Sequence, residues 1–581
     1  MKTILLFPLV ALALLLAAPG PAAEVPARTD FSTLNNGAPE HSYRHRSIRA
    51  YLPKAELSRR NKVGNYSSFE NPTGIFFSPG EEVTLTLSGS EGQRIVLIVH
   101  DFEQGGTHDE YPLSEGSNHL IIAHRGLGYL DYRSDSPDSA PAVQVDIQGG
   151  RVNGIFTRHD SEATWKSLLA HAQCNILDLI GERCQLAYDV ESLRKGCPED
   201  GPALLALYDE IIRLEQEDIL GWDRDGSHPG NHIHGRVQWG GFMHADGMGA
   251  AFHVSTIPGL ANPASLRRGA WGVAHEFGHV NQTRPGLCWV GTAEVTNNIF
   301  SAWVNFSLNP RNMRLEHEFI QNFDKRPMIG GRFDCYINNA LVRRRLWQFH
   351  GGPDDGNSAP PTNRTGDHFV SVCPFWQLQL YMAVARGKKD FYPSIFHHIR
   401  TTDEKALSQG QLRVLFFKRA CDAAHLNLSE FFVKLGILAP IDRMVEDYAS
   451  RHMTITPDMC REALEYAARY PKPDSSVLFY ITGNSVDIFA DKLPIRRPKD
   501  TAAPEICNGC IEMPADRWEN AVAFEAYAGK KLLRISLRGL GQKDGISTTI
   551  ICPPGTDTVK AVQWDGKRFT ILAPTAASTA P

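Results

Sequence analysis

The chain has 581 residues, 42% of them hydrophobic and 22% charged, with a formal net charge of -5. This is the composition of a soluble, core-forming protein, and its length predicts three or four domains. With no basic excess and no polybasic run, it excludes nucleic acid as a partner and an electrostatic membrane anchor.

Residues 1–23 carry Lys2, an apolar run over 4–18 and a small-residue stretch ending at Ala23. This is the outline of a signal peptide cut after Ala23. The run is shorter than the roughly 20 residues that span a bilayer, no cysteine follows it to take a lipid, and no later run is long enough to span. The expected product is exported, whether secreted, periplasmic or at the cell surface, without stable membrane insertion. Eleven cysteines make disulfides possible in such a compartment, with Cys507 and Cys510 the closest pair in sequence.

From 44 to 155 short apolar runs alternate with turns. Residues 83–87 alternate strictly, whereas 74–77, 95–99 and 120–123 are continuous, which predicts a β-sandwich. Helical spacing takes over at 164–176 and 204–218. His232 and His234, two apart, would share one face of a strand, but no acidic partner is evident and ordinary packing is the expectation. The following 239–243 stretch contains Gly240 and Gly241, which permit a close backbone approach.

The densest chemistry lies at His275-Glu276-x-x-His279, with Glu294 fifteen residues further on. Residues four apart on a helix differ by about 40° of rotation, so both imidazoles project from one face and can share a metal ion. A third ligand is needed. Glu294 sits in a segment predicted as a second helix after a turn at Pro285 and Gly286, which completes a His/His/Glu zinc site with one open position. Glu276 is then free to act as general base and acid. Asn298, one turn beyond Glu294, and Gln282, three after His279, are expected to hydrogen-bond the ligands from behind. Cys288, between the two ligand segments, is expected to be buried packing. A glycan on Asn281, one of five sequons with Asn65, Asn305, Asn363 and Asn427, would obstruct the zinc helix.

Downstream, 314–323, 339–349, 375–386, 412–424 and 428–435 read as helices, and 351–366 as a breaker-rich loop. Residues 471–476 read as a linker. Strands are predicted at 532–540 and 548–552, with a hairpin over 561–572 turning at Asp565 and Gly566.

Two segments, W-G-x-x-H-E-F-G-H-x-x-Q over 271–282 and G-T-A-E-V-T-N-N-I-F-S over 291–301, resemble the M60-like, enhancin-related zinc peptidases, a gluzincin family. Similarity extends upstream to 71–75 and 126–129 and downstream to 375–380, so it covers roughly 45–435. The resemblance implies His275, His279 and Glu294 as zinc ligands, Glu276 as the catalytic residue, one Zn2+ per chain and O-glycosylated, mucin-like protein substrates. It also implies a substrate-binding edge strand ahead of the zinc helix, on which Gly241, Phe242 and Met243 are the candidates. A second donor to the oxyanion is expected, a Tyr or His from the downstream half such as Tyr336.

The predicted fold is a multidomain α+β protein. A β-sandwich spans 24–158, a mainly α gluzincin-type catalytic domain with a small sheet spans 159–470, and a C-terminal β domain spans 471–581. The function read from it is that of a secreted zinc endopeptidase. Two rivals are a glycan-binding adhesin with a non-catalytic metal site and a zinc peptidase acting on unglycosylated peptides. The first is disfavoured because structural zinc is normally closed by four protein ligands.

Overall fold

The computed structural model describes residues 38–64, 66–103, 106–310, 314–317, 331–350, 367–498 and 504–573. The predicted leader at 1–23, the loop at 351–366, most of the predicted 314–323 helix, and sequons Asn65 and Asn363 lie outside these residues.

Among the described residues, a short helix (Ala38–Arg44) leads into nine strands: β1 (His45–Ile48), β2 (Pro72–Phe77), β3 (Glu82–Ser88), β4 (Ile95–Asp101), β5 (Thr107–Leu113), β6 (Gly116–Ile121), β7 (Gly126–Tyr132), β8 (Val143–Gln148) and β9 (Arg151–Val152). They form two sheets, β1-β8-β3-β6 and β5-β4-β7-β2-β9, packed as a sandwich. In β3 the alternation predicted from sequence sends Val83, Leu85 and Leu87 inward. The continuous run of β4 has a different cause. Ile95, Leu97 and Val99 face the sandwich core, while Val96 and Ile98 face the main core of the molecule, so this strand is buried on both sides.

A six-stranded mixed sheet follows, built from β10 (Ile155–Thr157), β11 (Ile176–Ile180), β12 (Cys184–Asp189), β13 (Ile233–Gln238), β14 (Met243–Asp246) and β15 (Gly249–His253), in the order β10-β11-β12-β13-β15-β14. The predicted 164–176 helix is Glu162–His171, capped by the Ser161 side chain, and Ile176 already belongs to β11. The predicted 204–218 helix is Gly201–Arg213, running on into a wider π turn over Leu214–Ile219. The sandwich and this sheet are joined by a buried contact in which the Tyr129 hydroxyl donates to Asp178 at 2.9 Å.

Helices cover the sheet, and the chain then forms a hairpin of β16 (Ile441–Asp447) and β17 (Ala449–Ile455), which sequence patterning missed. The C-terminal strands β18 (Cys510–Met513), β19 (Ala523–Ala528), β20 (Lys531–Leu537), β21 (Thr548–Ile551), β22 (Thr558–Val562) and β23 (Arg568–Leu572) make the sheets β18-β21 and β20-β19-β22-β23. These do not hang from a free linker. Asp474 accepts a hydrogen bond from Tyr381 at 2.7 Å, Ser475 donates to Trp564 O, and Ile535, Leu537 and Val562 belong to the main core. All eleven cysteines lie among the described residues, and no disulfide joins any two of them. Among the described residues no helix is long and apolar enough to cross a membrane.

Candidate metal centre

The helix Trp271–Asn281 buries Trp271, Val273, Ala274, Phe277 and Val280 in the main core, and turns His275 and His279 toward a cleft of about 1100 Å³. Gly278 is there because a Cβ would lie 2.6 Å from Asn297 O, so the next segment crosses this helix backbone against side-chain-free backbone. Asn281 at its end is fully buried, accepting from Tyr66 at 2.6 Å and donating to Glu215 at 2.7 Å. A folded chain therefore offers no access for a glycan at that sequon.

Glu294 reaches the two imidazoles from a series of tight turns, not from a helix. Backbone bonds Val295 N to Thr292 O and Asn298 N to Val295 O set these turns, and the helix itself begins only at Asn298 (Asn298–Leu308). The expectation of one helix carrying both Glu294 and Asn298 is corrected accordingly. Glu294 Oε2 lies 3.0 Å from His275 Nε2 and 3.3 Å from His279 Nε2. One ligand atom from each of the three residues falls within 4.8 Å of the others. Burial alone would raise the Glu294 carboxyl, but its contacts with the two imidazoles outweigh that and hold it well below the usual carboxylate range.

Asn298 sits behind the cluster. Its Oδ1 accepts from His275 Nδ1 and from Trp271 Nε1, each at 2.9 Å, and its Nδ2 donates to Glu294 O at 2.8 Å. A proton held on Nδ1 leaves the Nε2 lone pair facing the cluster, as a metal ligand requires. Gln282 takes a different place from the one expected: its Nε2 donates to Thr292 O, Ala293 O and Thr296 Oγ1, so it braces the Glu294 turns and touches no ligand side chain. Asn297 has no counterpart in the sequence reading, yet its Nδ2 lies 3.2 Å from His275 Nε2 and 3.0 Å from His279 Nε2.

Glu276 projects into the same cleft, with its residue only 5% exposed and its Oε2 buried without a hydrogen-bond partner. Burial pushes its carboxyl up to about 7, with His275 opposing and Glu294 assisting. Two imidazoles, a carboxylate and an unpartnered carboxyl beside them suit zinc with an open coordination position, and among the described residues the cluster holds three donor side chains, not the four of a closed structural site.

The edge strand beside the cleft is β14, so of the three substrate candidates only Met243 lines it, together with His244, Ala245 and Asp246. Gly241 and Phe242 fall in the bend before the strand, and Phe242 is exposed. The bend arises because the chain turns between β13 and the β14 edge, where Gly241 takes a positive φ of 77°. Tyr336 is excluded as an oxyanion donor: it is buried, with its hydroxyl donating to Gln377 at 3.1 Å. His232 and His234 are buried elsewhere, paired to Glu70 and to Met248 O. Cys288 lines the cleft and is half-buried instead of being sealed in the core, and burial raises its thiol, which disfavours a thiolate.

The hydroxyl that does reach the centre belongs to Tyr448, between β16 and β17, which donates to Glu294 Oε1 at 2.5 Å. Beside it, Asp447 Oδ2 accepts from Gly291 N at 2.8 Å and Ala293 N at 3.1 Å, tying the hairpin to the turns that carry Glu294. No motif marked this residue.

The family profile of peptidase M60, enhancin and enhancin-like, matches residues 157–436, and that of the N-terminal domain of M60-like peptidases matches 43–147. Among solved structures, a metallopeptidase from Bacteroides thetaiotaomicron superposes with a TM-score of 0.71 at 23% identity, over 91% of this chain and 90% of that one. A metallopeptidase in complex with Tn antigen gives 0.70 at 23% identity, over 92% and 99%. The M60 catalytic domain of Clostridium perfringens ZmpC, in complex with the sialyl T antigen, gives 0.64 at 17% identity, over 91% and 100%. These likenesses are of fold. Among curated proteins, TRPM8 channel-associated factor 3 of Rattus norvegicus is 24% identical over 43% of this chain, and that of Mus musculus 22% identical over 67%. The chain spans only 28% and 40% of the length of those two relatives.

Proposed function

The chain belongs to the M60 peptidases, enhancin and enhancin-like, a zinc metallopeptidase family, and from that premise we propose that it is an exported endopeptidase cleaving O-glycosylated, mucin-like proteins. In this reading His275, His279 and Glu294 hold one zinc ion per chain and Glu276 carries the proton. The proposed organisation is an N-terminal sandwich over 24–158, a catalytic domain over 159–470 and a C-terminal β domain over 471–581. Export is drawn from the leader-like pattern at 1–23.

The observation that carries the proposal is the unpartnered, buried Glu276 Oε2 beside two imidazoles that converge on Glu294 Oε2. Zinc, when bound, supplies a Lewis acid for the peptide carbonyl and acidifies water. Glu276, raised toward neutrality, takes a proton from the attacking water and returns it to the leaving nitrogen. Asn298 holds His275 in the ligating tautomer. Tyr448 replaces Tyr336 as the assigned donor to the developing oxyanion, since it is the one tyrosine hydroxyl in contact with a ligand of the cluster among the described residues. The glycosylated substrate is supported by fold relatives solved with Tn and sialyl T antigens.

The test is digestion of native mucin and of mucin stripped of O-glycans, followed on gels and by mass spectrometry, with wild type and Glu276→Ala. Wild type should cut the native substrate, leave the stripped one largely intact, and lose cutting but not zinc in the variant. Equal cleavage of both substrates would remove the glycan requirement. Zinc and mucin binding without any cleavage would hand the function to the adhesin reading.

A further inference from the structure

The charges lining the cleft are unevenly satisfied. Apart from Glu276, its acidic groups are engaged: Glu294 by imidazoles and Tyr448, Asp246 by Arg236 at 2.6 Å, and Asp447 by two backbone amides. Three of its basic side chains meet no carboxylate among the described residues. Lys405 and Arg451 line the same cleft, both exposed, and among the described residues neither side chain meets an acceptor. Arg284, also in the lining, donates to the neutral Gln282 Oε1 at 2.6 Å and hydrogen-bonds the Cys288 thiol, and among the described residues it pairs with no carboxylate.

Among the described residues, three cations paired with no carboxylate collect here, in a chain whose net charge is -5. Their placement follows from the fold. Arg451 lies two residues after Ala449 on β17, so both present the same strand face to the cleft. Lys405 comes from the turn ahead of the helix Gln409–Ala424, and Arg284 from the segment after the zinc helix. Three separate elements thus bring positive charge to one cleft, where low-dielectric walls focus the field on whatever occupies it.

We propose that Lys405 and Arg451, assisted by Arg284, form a subsite for an oxyanion carried by the substrate, a carboxylate or a sulfate ester, so that acidic glycoproteins are preferred to neutral ones. The inference rests on the reading of the cleft as a glycoprotein site. The guanidinium of Arg451 offers a planar fork suited to either anion, and Lys405 adds a point charge. Because both side chains are exposed, the preference should be modest, roughly three- to tenfold, and should weaken with salt.

The test uses the zinc-loaded Glu276→Gln protein and four fluorescent peptides of one sequence. The first carries a neutral O-glycan, the second a carboxylate-bearing sugar on that glycan, the third a sulfate ester on it, and the fourth the neutral glycan with Asp beside the glycosylated residue. Anisotropy titrations at low and high salt give each Kd. At least one anionic peptide should bind roughly threefold or more tighter than the neutral one, and which one identifies the source of the anion. The ratio should fall toward one at high salt and in a Lys405→Ala/Arg451→Ala background, and recover in part with Lys405→Arg/Arg451→Lys. Equal binding of all four peptides, or a preference that survives the double alanine variant, overturns the subsite alone. Binding of none overturns the glycoprotein reading, and the subsite with it.

Discussion

Tyr448 and Glu294 are 154 residues apart in the chain, and the hydroxyl of one donates to the carboxylate of the other at 2.5 Å. The contact depends on a sharp reversal between β16 and β17, where Asp447 is register partner to Ala449 and Tyr448 itself takes a φ of 51°. For a bulky residue the left-handed region costs on the order of 1 kcal/mol or more. The surrounding structure offsets this through Asp447, which pins the hairpin to Gly291 and Ala293. The strain is held at the point where a side chain is delivered to the cluster of His275, His279 and Glu294.

If Tyr448 donates to the oxyanion, Tyr448→Phe should lower kcat by about 100-fold with little change in KM. Zinc content, measured on the purified protein, should stay the same, because the hydroxyl is not a ligand. A variant with wild-type kcat would remove Tyr448 from the reaction.

In the proposed mechanism Asn298 is a positioning residue. Replacing it with alanine removes the acceptor for His275 Nδ1 and Trp271 Nε1 together. Zinc affinity, read by competition with a chromogenic chelator, should weaken by about 10- to 100-fold. Since the helix is otherwise packed as before, saturating zinc should restore much of the activity. Unaltered zinc affinity would show that the imidazole is oriented without this amide.

Asp178 makes stability depend on pH at the joint between the sandwich and the mixed sheet. Burial pushes its carboxyl up to about 7, with the Tyr129 hydroxyl and Arg46 opposing, against about 3.9 for an unfolded Asp. Between those values the unfolded chain has released a proton that the folded chain keeps, so rising pH favours unfolding. The stability is complete below about pH 4, is lost at up to about 1.4 kcal/mol per unit as pH climbs toward 7, and levels off above that. Urea midpoints of wild type and Asp178→Asn should therefore diverge in favour of the variant from pH 4 to 7 and then run parallel. A difference independent of pH would count against a buried, proton-holding Asp178.

Much of the centre is legible in the linear chain because it is written at helical spacing. His275 and His279 share a helix face by rotation alone, and Glu294 follows closely enough that the chain can fold back upon itself. The alternation of 83–87 likewise names its buried side without any knowledge of partners. Local geometry determines such features, since the side-chain directions of one helix or strand repeat whatever packs against it. It does not determine which elements meet. That Glu294 rides on tight turns, that β14 and not the bend before it borders the cleft, that Gln282 braces a loop, and that Tyr448, Lys405 and Arg451 share the cleft with the helix of His275 and His279 were decided by packing between segments far apart in sequence. Their positions depend on the shared core into which Trp271, Phe277, Val445 and Met453 are buried together, and burial of that kind is a property of the assembled chain, with no periodicity to announce it.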